Sequence, residues 1–192
     1  DRDEPALRTL LERARALGFT GVLIGNLGHL PLVRGLNFHL YGDYGLNVFN
    51  SRSLAYLKDK ELESACVSFE LRFAQIRDLK KVLRAEAIVY GRLPLMITEN
   101  CLVQNETGCR LDRQGPCVPE DGPCRCGQPN VLVDRTGAAF PLLPAYGHRT
   151  EIQNSKPLYL AVRPEHRRLG LAYARLRFTT ETAEECVSVV TN

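Results

Sequence analysis

The 192-residue chain is 44% hydrophobic and 24% charged, the balance of a soluble globular domain with enough apolar surface to bury a core, which excludes a disordered chain. Its formal charge of +3, carried by 20 Arg and 5 Lys against 22 acidic residues, permits a nucleic-acid partner without requiring one. No apolar run approaches the roughly 18 residues of a membrane helix.

The chain opens with Asp3, Glu4 and Pro5, good helix starters, ahead of Leu7, Leu10, Leu11, Ala14 and Leu17 at helical spacing. This predicts an amphipathic helix that stops at Gly18. The start has neither the charge nor the pattern of a signal peptide, so the chain reads as cytoplasmic. It also begins at Asp rather than Met and opens directly on a helix, the expectation for a piece of a longer protein. TGVLIGN and LNFHLYGD then read as short buried strands, and Ser51 as the cap of a helix carrying Leu54 and Leu57. SACVSFE is a third strand, Phe73, Ile76, Leu79 and Leu83 mark a helix face, and EAIVYGR is a fourth strand. Alternating buried strands and amphipathic helices predict parallel βαβ construction.

In such sheets the functional groups stand at the carboxyl ends of the strands. Those ends place Asn26, Asp43, Glu70 and Arg92 on one expected rim. The same residue types also make ordinary turns and caps, and Glu70 also suits the start of the following helix.

After Tyr90 the pattern changes. Residues 101–130 lack periodicity and hold Cys101, Cys109, Cys117, Cys124 and Cys126. Without an export signal these thiols point to metal rather than to disulfides, and a coordinated ion would staple a loop that has no core. Zinc and iron–sulfur clusters both take about four ligands, and the one-residue gap between Cys124 and Cys126 is shorter than in most zinc knuckles. His148, the histidine that follows the cluster, is a candidate ligand or a surface residue. Cys66 and Cys186, in ACVSF and ECVSVV, read as small hydrophobes in strand-like settings. NVLVDRTGAAFPLL predicts two strands around a turn at Asp134–Gly137, TEIQNSKPLYL one strand, and RLGLAYARLRFTTE a last apolar strand. ETAEECVSVV fits either helix or strand.

Read in order, GVLIGNLG, GDYGLNVFNS, SFEL, VYGRLPLMITENC, GC, LVDRTGAAFPLL and EIQNSKPLYL resemble the collagenase-like peptidase family of unknown mechanism, peptidase family U32, over about residues 19–180. The resemblance implies an α/β fold: a partial (β/α) TIM-type barrel with a cysteine-bearing β-rich insertion. A whole barrel takes about 250 residues, so the first three strands are expected to be missing. The implied segments are 1–100 for the β/α units, 101–160 for the insertion, and 161–192 for the last strand and tail. Relatives take part in oxygen-independent hydroxylation of RNA bases and ubiquinone precursors with an iron–sulfur cluster on four cysteines, while others carry the protease name. Carried over, this implies a [4Fe–4S] cluster, with zinc as the alternative, with Cys101 and Cys109 on the first two positions and Cys126, or Cys124, on the third. His148 or one of the extra thiols completes the set, and Cys101, Cys109, Cys124 and Cys126 are the expected ligands. The family's fourth cysteine, between the hairpin and EIQNS, is replaced here by an interval offering His148, and Cys117 and Cys124 are extra. Asp43, Asn47 and Glu70 are the implied catalytic residues, with Asn26 and Asn50 positioning substrate.

RNA is the implied partner of the intact protein, along with the missing barrel strands, and open sheet edges predict self-association of the fragment. The peptidase alternative has neither H-E-x-x-H nor G-x-S-x-G and would rest on a pair such as Cys101 and His148. A third reading is a non-catalytic, metal-stapled interaction module, or a fragment of a larger enzyme that is inactive alone.

Overall fold

The computed structural model describes residues 4–107, 125, 128–160 and 162–191. The chain divides into two compact units, Asp1–Val89 with Leu160–Arg175, and Tyr90–Tyr159 with Leu176–Asn192.

In the first unit the order is α1 (Glu4–Ala16), β1 (Gly21–Ile24), α2 (Leu30–Val33), β2 (His39–Gly42), α3 (Ser51–Asp59), β3 (Leu62–Cys66), α4 (Phe73–Asp78) and β4, which starts at Arg84 and ends at Gly91. β1 pairs with β2, β2 with β3, and β3 with β4, all parallel, as the alternation predicts. The strand that follows β4 in this sheet is β10 (Tyr173–Arg177), and just ahead of it the Ala172 amide donates to Ala85 O at 2.8 Å. The fold class is therefore α/β with a parallel sheet.

The core of this unit gathers Leu54 and Leu57 from α3, Ile76 from α4, Leu62, Ala65, Ala85 and Ala87 from the sheet, and Val67 just beyond β3. A bulge lets Leu62 and Ala65 share a face although they are three apart: Leu40 pairs with Leu62 but Tyr41 with Ser64, so Glu63 is the extra residue. Beyond it, strict alternation sends Ser64 and Cys66, and Glu86 opposite Cys66, to the other face. Where the strands begin, a chain of polar contacts crosses four of them. His39 Nδ1 meets Glu63 Oε1, Arg84 Nη2 reaches Glu63 Oε2 at 3.1 Å, and Arg84 Nη1 donates to Tyr173 OH at 3.0 Å.

Two local expectations shift. Asn50, not Ser51, caps α3: its Oδ1 accepts from the Arg52 and Ser53 amides at 3.0 Å, while Ser51 Oγ accepts from the Lys80 amide. Asn50→Ala is expected to lower stability by about 1 kcal/mol in urea unfolding, and Ser51→Ala by less. The helix expected through Leu83 ends at Asp78, where Leu79 turns extended. Lys81 Nζ donates to the carbonyls of Ile76 and Leu79, satisfying the helix end, and Leu83 joins the core from outside the helix.

The second unit holds an antiparallel sheet in the order β5 (Pro94–Thr98), β8 (Arg149–Gln153), β7 (Ala139–Ala145) and β6 (Asn130–Val133), with α5 (Leu102–Thr107) and α6 (Ala183–Thr191). The predicted turn is present: Asp134 Oδ1 accepts from the Thr136 and Ala138 amides, which is Asx-turn chemistry. TEIQNSKPLYL yields two strands rather than one, β8 and the short β9 (Leu158–Tyr159), because the Asn154 and Ser155 carbonyls turn to Arg92 Nη1 instead of continuing a ladder. β9 pairs antiparallel with the end of β4. There Gly91 has φ 130°, and an added Cβ would lie 2.2 Å from Arg177 O, so the position requires glycine.

The ambiguous tail is the helix α6, and this corrects the strand-like setting expected for Cys186, which is half-buried on that helix. Thr182 and Glu185 decide it: the Glu185 amide donates to Thr182 Oγ1, and Glu185 Oε2 accepts from the Thr182 amide, a capping box. Inside the unit, fully buried Gln153 accepts from Arg177 Nη1 at 2.7 Å, and Arg177 Nη2 reaches Glu151 at 2.8 Å.

Candidate functional site

In the first unit the segment GDYGLN is built as a tight corner after β2. The Asp43 amide donates to Ile24 O at 2.8 Å, and its carboxylate accepts from the Tyr44 amide at 2.8 Å, opening a short 3-10 turn over Tyr44–Leu46. Asn47 ends the turn in the left-handed region, φ 49°, which Asn tolerates better than most residues. Gly45 lies so close to the end of β1 that a Cβ there would stand 2.7 Å from Gly25 O. The corner thereby fixes the direction of Asp43.

Asp43 is held by Arg175 of β10, whose Nη1 donates to Asp43 Oδ1. Arg175 Nε also lies against Glu86 Oε1, as an ion pair without the alignment of a hydrogen bond. The three side chains are only 22%, 20% and 16% exposed for Asp43, Arg175 and Glu86. Burial works against the Arg175 charge, but the hydrogen bond it donates to Asp43 and the charge of Glu86 outweigh it and raise the pKa of the guanidinium. Cys66, fully buried and directly across from Glu86 in the ladder, has its thiol pushed up to about 12 by burial, with Arg175 only partly opposing this. At neutral pH it is a protonated, weakly reactive thiol. Two carboxylates facing one guanidinium leave the cluster with an excess acceptor, suited to hydrogen-bond donors rather than to phosphate. Tyr44 and Phe69 form an aromatic pair with centroids 5.9 Å apart.

Of the residues expected on the rim, Asp43 enters this cluster. Asn26 accepts from the Gly28 amide and Asn50 caps α3, the turn-and-cap roles open to these residue types. Glu70 is exposed, and its carboxylate makes no hydrogen bond among the described residues. Arg92 belongs to the second unit, where it donates to Thr180 Oγ1 and to the carbonyls of Asn154 and Ser155. Sequence reasoning missed Glu86 and Arg175. Their signal was a single charge inside an apolar strand run, EAIVYG and LAYARL, which requires a partner once the strand is buried.

Of the five clustered cysteines, Cys101 is described: it is buried in a small apolar cluster with Val103 and Leu142 just ahead of α5. Cys109, Cys117, Cys124 and Cys126 lie outside the described residues. Among the described residues no group of three or more His, Cys, Asp or Glu side chains is placed to hold a metal ion. His148, at φ 60°, lies in the turn between β7 and β8. No described helix is long and apolar enough to cross a membrane.

The model of one protein family, Peptidase family U32, matches residues 1–128, whereas neither the curated proteins nor the solved structures give a match. The match spans β1 to β5, including the corner that aims Asp43 and the strands that carry Cys66 and Glu86. On that extent of the chain, the protein belongs to peptidase family U32.

Proposed function

We propose that the chain is part of a U32-family enzyme that hydroxylates a base in RNA, with Asp43 and Glu86 receiving the donor edge of the base and Arg175 holding both carboxylates in place. The observation that carries this reading is the part-buried Asp43–Arg175–Glu86 cluster next to the ends of parallel strands. Its excess acceptor complements the N–H groups of a base edge, which carboxylates accept readily. The thiol peptidase reading draws no support from Cys66, because a thiol held up to about 12 is a poor nucleophile. The parallel strands of the first unit are proposed to be the latter part of a TIM-type barrel that the remainder of a longer cytoplasmic protein completes, with Asn47 and Glu70 on the substrate side.

The donor set fits an iron–sulfur cluster: five thiols stand within one segment, and Cys101 lies in an apolar shell of the kind that controls solvent access to such groups. Cys101, Cys109, Cys124 and Cys126 would hold it, with zinc as the alternative ion. Turning C–H into C–OH with oxygen from water releases two electrons and two protons, and the cluster, when bound, would pass those electrons one at a time to an external electron acceptor. The chain's own contribution is orientation and a water-poor, hydrogen-bonded seat for the base.

The test compares RNA nucleosides by mass spectrometry from cells with and without the gene. One nucleoside is expected to lose an added oxygen in its absence, wild-type protein to restore it, and Asp43→Asn to fail. An unchanged nucleoside profile, together with peptide cleavage that a thiol blocker abolishes, would replace this reading with the peptidase one. Iron and acid-labile sulfide in equal amounts after anaerobic purification are expected for the cluster; zinc alone would reduce the cysteines to a structural staple.

A further inference from the structure

A cavity of about 300 Å³ in the second unit, the space of roughly ten waters, is lined in part by Tyr90, Arg92, Glu181 and Glu185. Nothing in the proposed hydroxylation uses it, although the sequence singled out Arg92. Its polar groups differ in what they have left to offer. Glu181 is saturated: Oε1 accepts from Tyr90 OH at 3.2 Å, and Oε2 from the Thr179 and Thr180 amides at 2.6 and 3.0 Å. Burial would raise its pKa, but those amides outweigh it and keep the carboxylate ionised, while burial and Glu181 together push the Tyr90 phenol up. Tyr90 and Glu181 therefore form a fixed wall.

Arg92 spends Nε on Thr180 Oγ1 and Nη1 on two carbonyls, which leaves Nη2 with no hydrogen bond among the described residues. Glu185 spends Oε2 on the Thr182 amide and keeps Oε1. The lining thus offers one unused guanidinium nitrogen, Nη2, and one unused carboxylate oxygen, beside apolar surface from Tyr90, Pro157 and Val189. A donor and an acceptor of opposite charge on one small cavity complement a molecule that carries both charges itself.

We infer that this cavity binds a free α-amino acid, its carboxylate on Arg92, its ammonium group on Glu185 and its side chain against Pro157 and Val189. This goes beyond the hydroxylation reading and stands without it. The test titrates the full chain with each common L-amino acid by calorimetry and thermal shift. Any that binds is then compared with its decarboxylated amine and its deaminated acid. At least one amino acid is expected to bind saturably and raise the melting temperature, with both one-charge analogues weaker by about tenfold or more. Glu185→Gln, an exposed change on α6, is expected to weaken binding about tenfold with the circular dichroism spectrum unchanged. Arg92→Lys, which keeps the charge and loses the fork, serves as the second variant should Glu185→Gln unfold the helix. The proposal is overturned by a folded chain that binds no amino acid, by analogues that bind as well as the zwitterion, or by folded variants with unaltered affinity.

Discussion

Arg175→Met is expected to destabilise the protein by about 3 kcal/mol, somewhat less than for a fully enclosed pair because water still reaches about a fifth of each side chain. The substitution keeps an unbranched apolar stem of similar volume, so most of the loss comes from charge: Asp43 and Glu86 are left facing each other with no cation between them. Adding Glu86→Gln in the Arg175→Met background is expected to restore much of the loss, since one carboxylate can then keep its Tyr44 amide without a like-charged neighbour. Urea unfolding of wild type, the single variants and the double variant checks this as a cycle. If Arg175→Met alone changed stability by less than about 1 kcal/mol, the cluster would be a solvated surface pairing and not a seat for substrate.

The second large effect is a pH dependence traced to Cys66. Its thiol is pushed up to about 12 in the folded chain by burial, from 9.0 in the open chain. The unfolded state therefore loses this proton near pH 9 while the folded state keeps it. The stabilisation is fully present below pH 9 and disappears as pH rises toward 12, by about 1.4 kcal/mol per pH unit across the window. Lysines and tyrosines also titrate in this range, so the informative quantity is the slope of wild type minus that of Cys66→Ala. A steeper fall for wild type between pH 9 and 10.5 is expected; parallel slopes would mean that the thiol is hydrated. The same burial predicts that Cys66 resists alkylation until the chain unfolds.

How much of this could be read from residues alone varies with the range of the interaction. The βαβ order, the inward faces of α3 and α4, and the hairpin turn at Asp134 follow from spacing and from side chains that bond their own neighbourhood, so local sequence suffices. The tail was legible in the same way, through Thr182 and Glu185 three apart, but the apolar run CVSVV masks that cap with a strand-like pattern. The choice between Asn50 and Ser51 as the cap of α3 was not, because it depends on Lys80, 29 residues away, claiming the serine hydroxyl.

By itself, then, the sequence determined a parallel α/β chain of peptidase family U32 with Asp43 at a strand end. Only tertiary structure decided that Asp43 is answered by Arg175, 132 residues later, and that Glu86 and Cys66 share its neighbourhood. Propensity and periodicity report which way a residue faces over a few positions. Which charge meets which is set by strand adjacency and by a single bulge at Glu63, and shifting that parity by one residue would turn Cys66 to the opposite face.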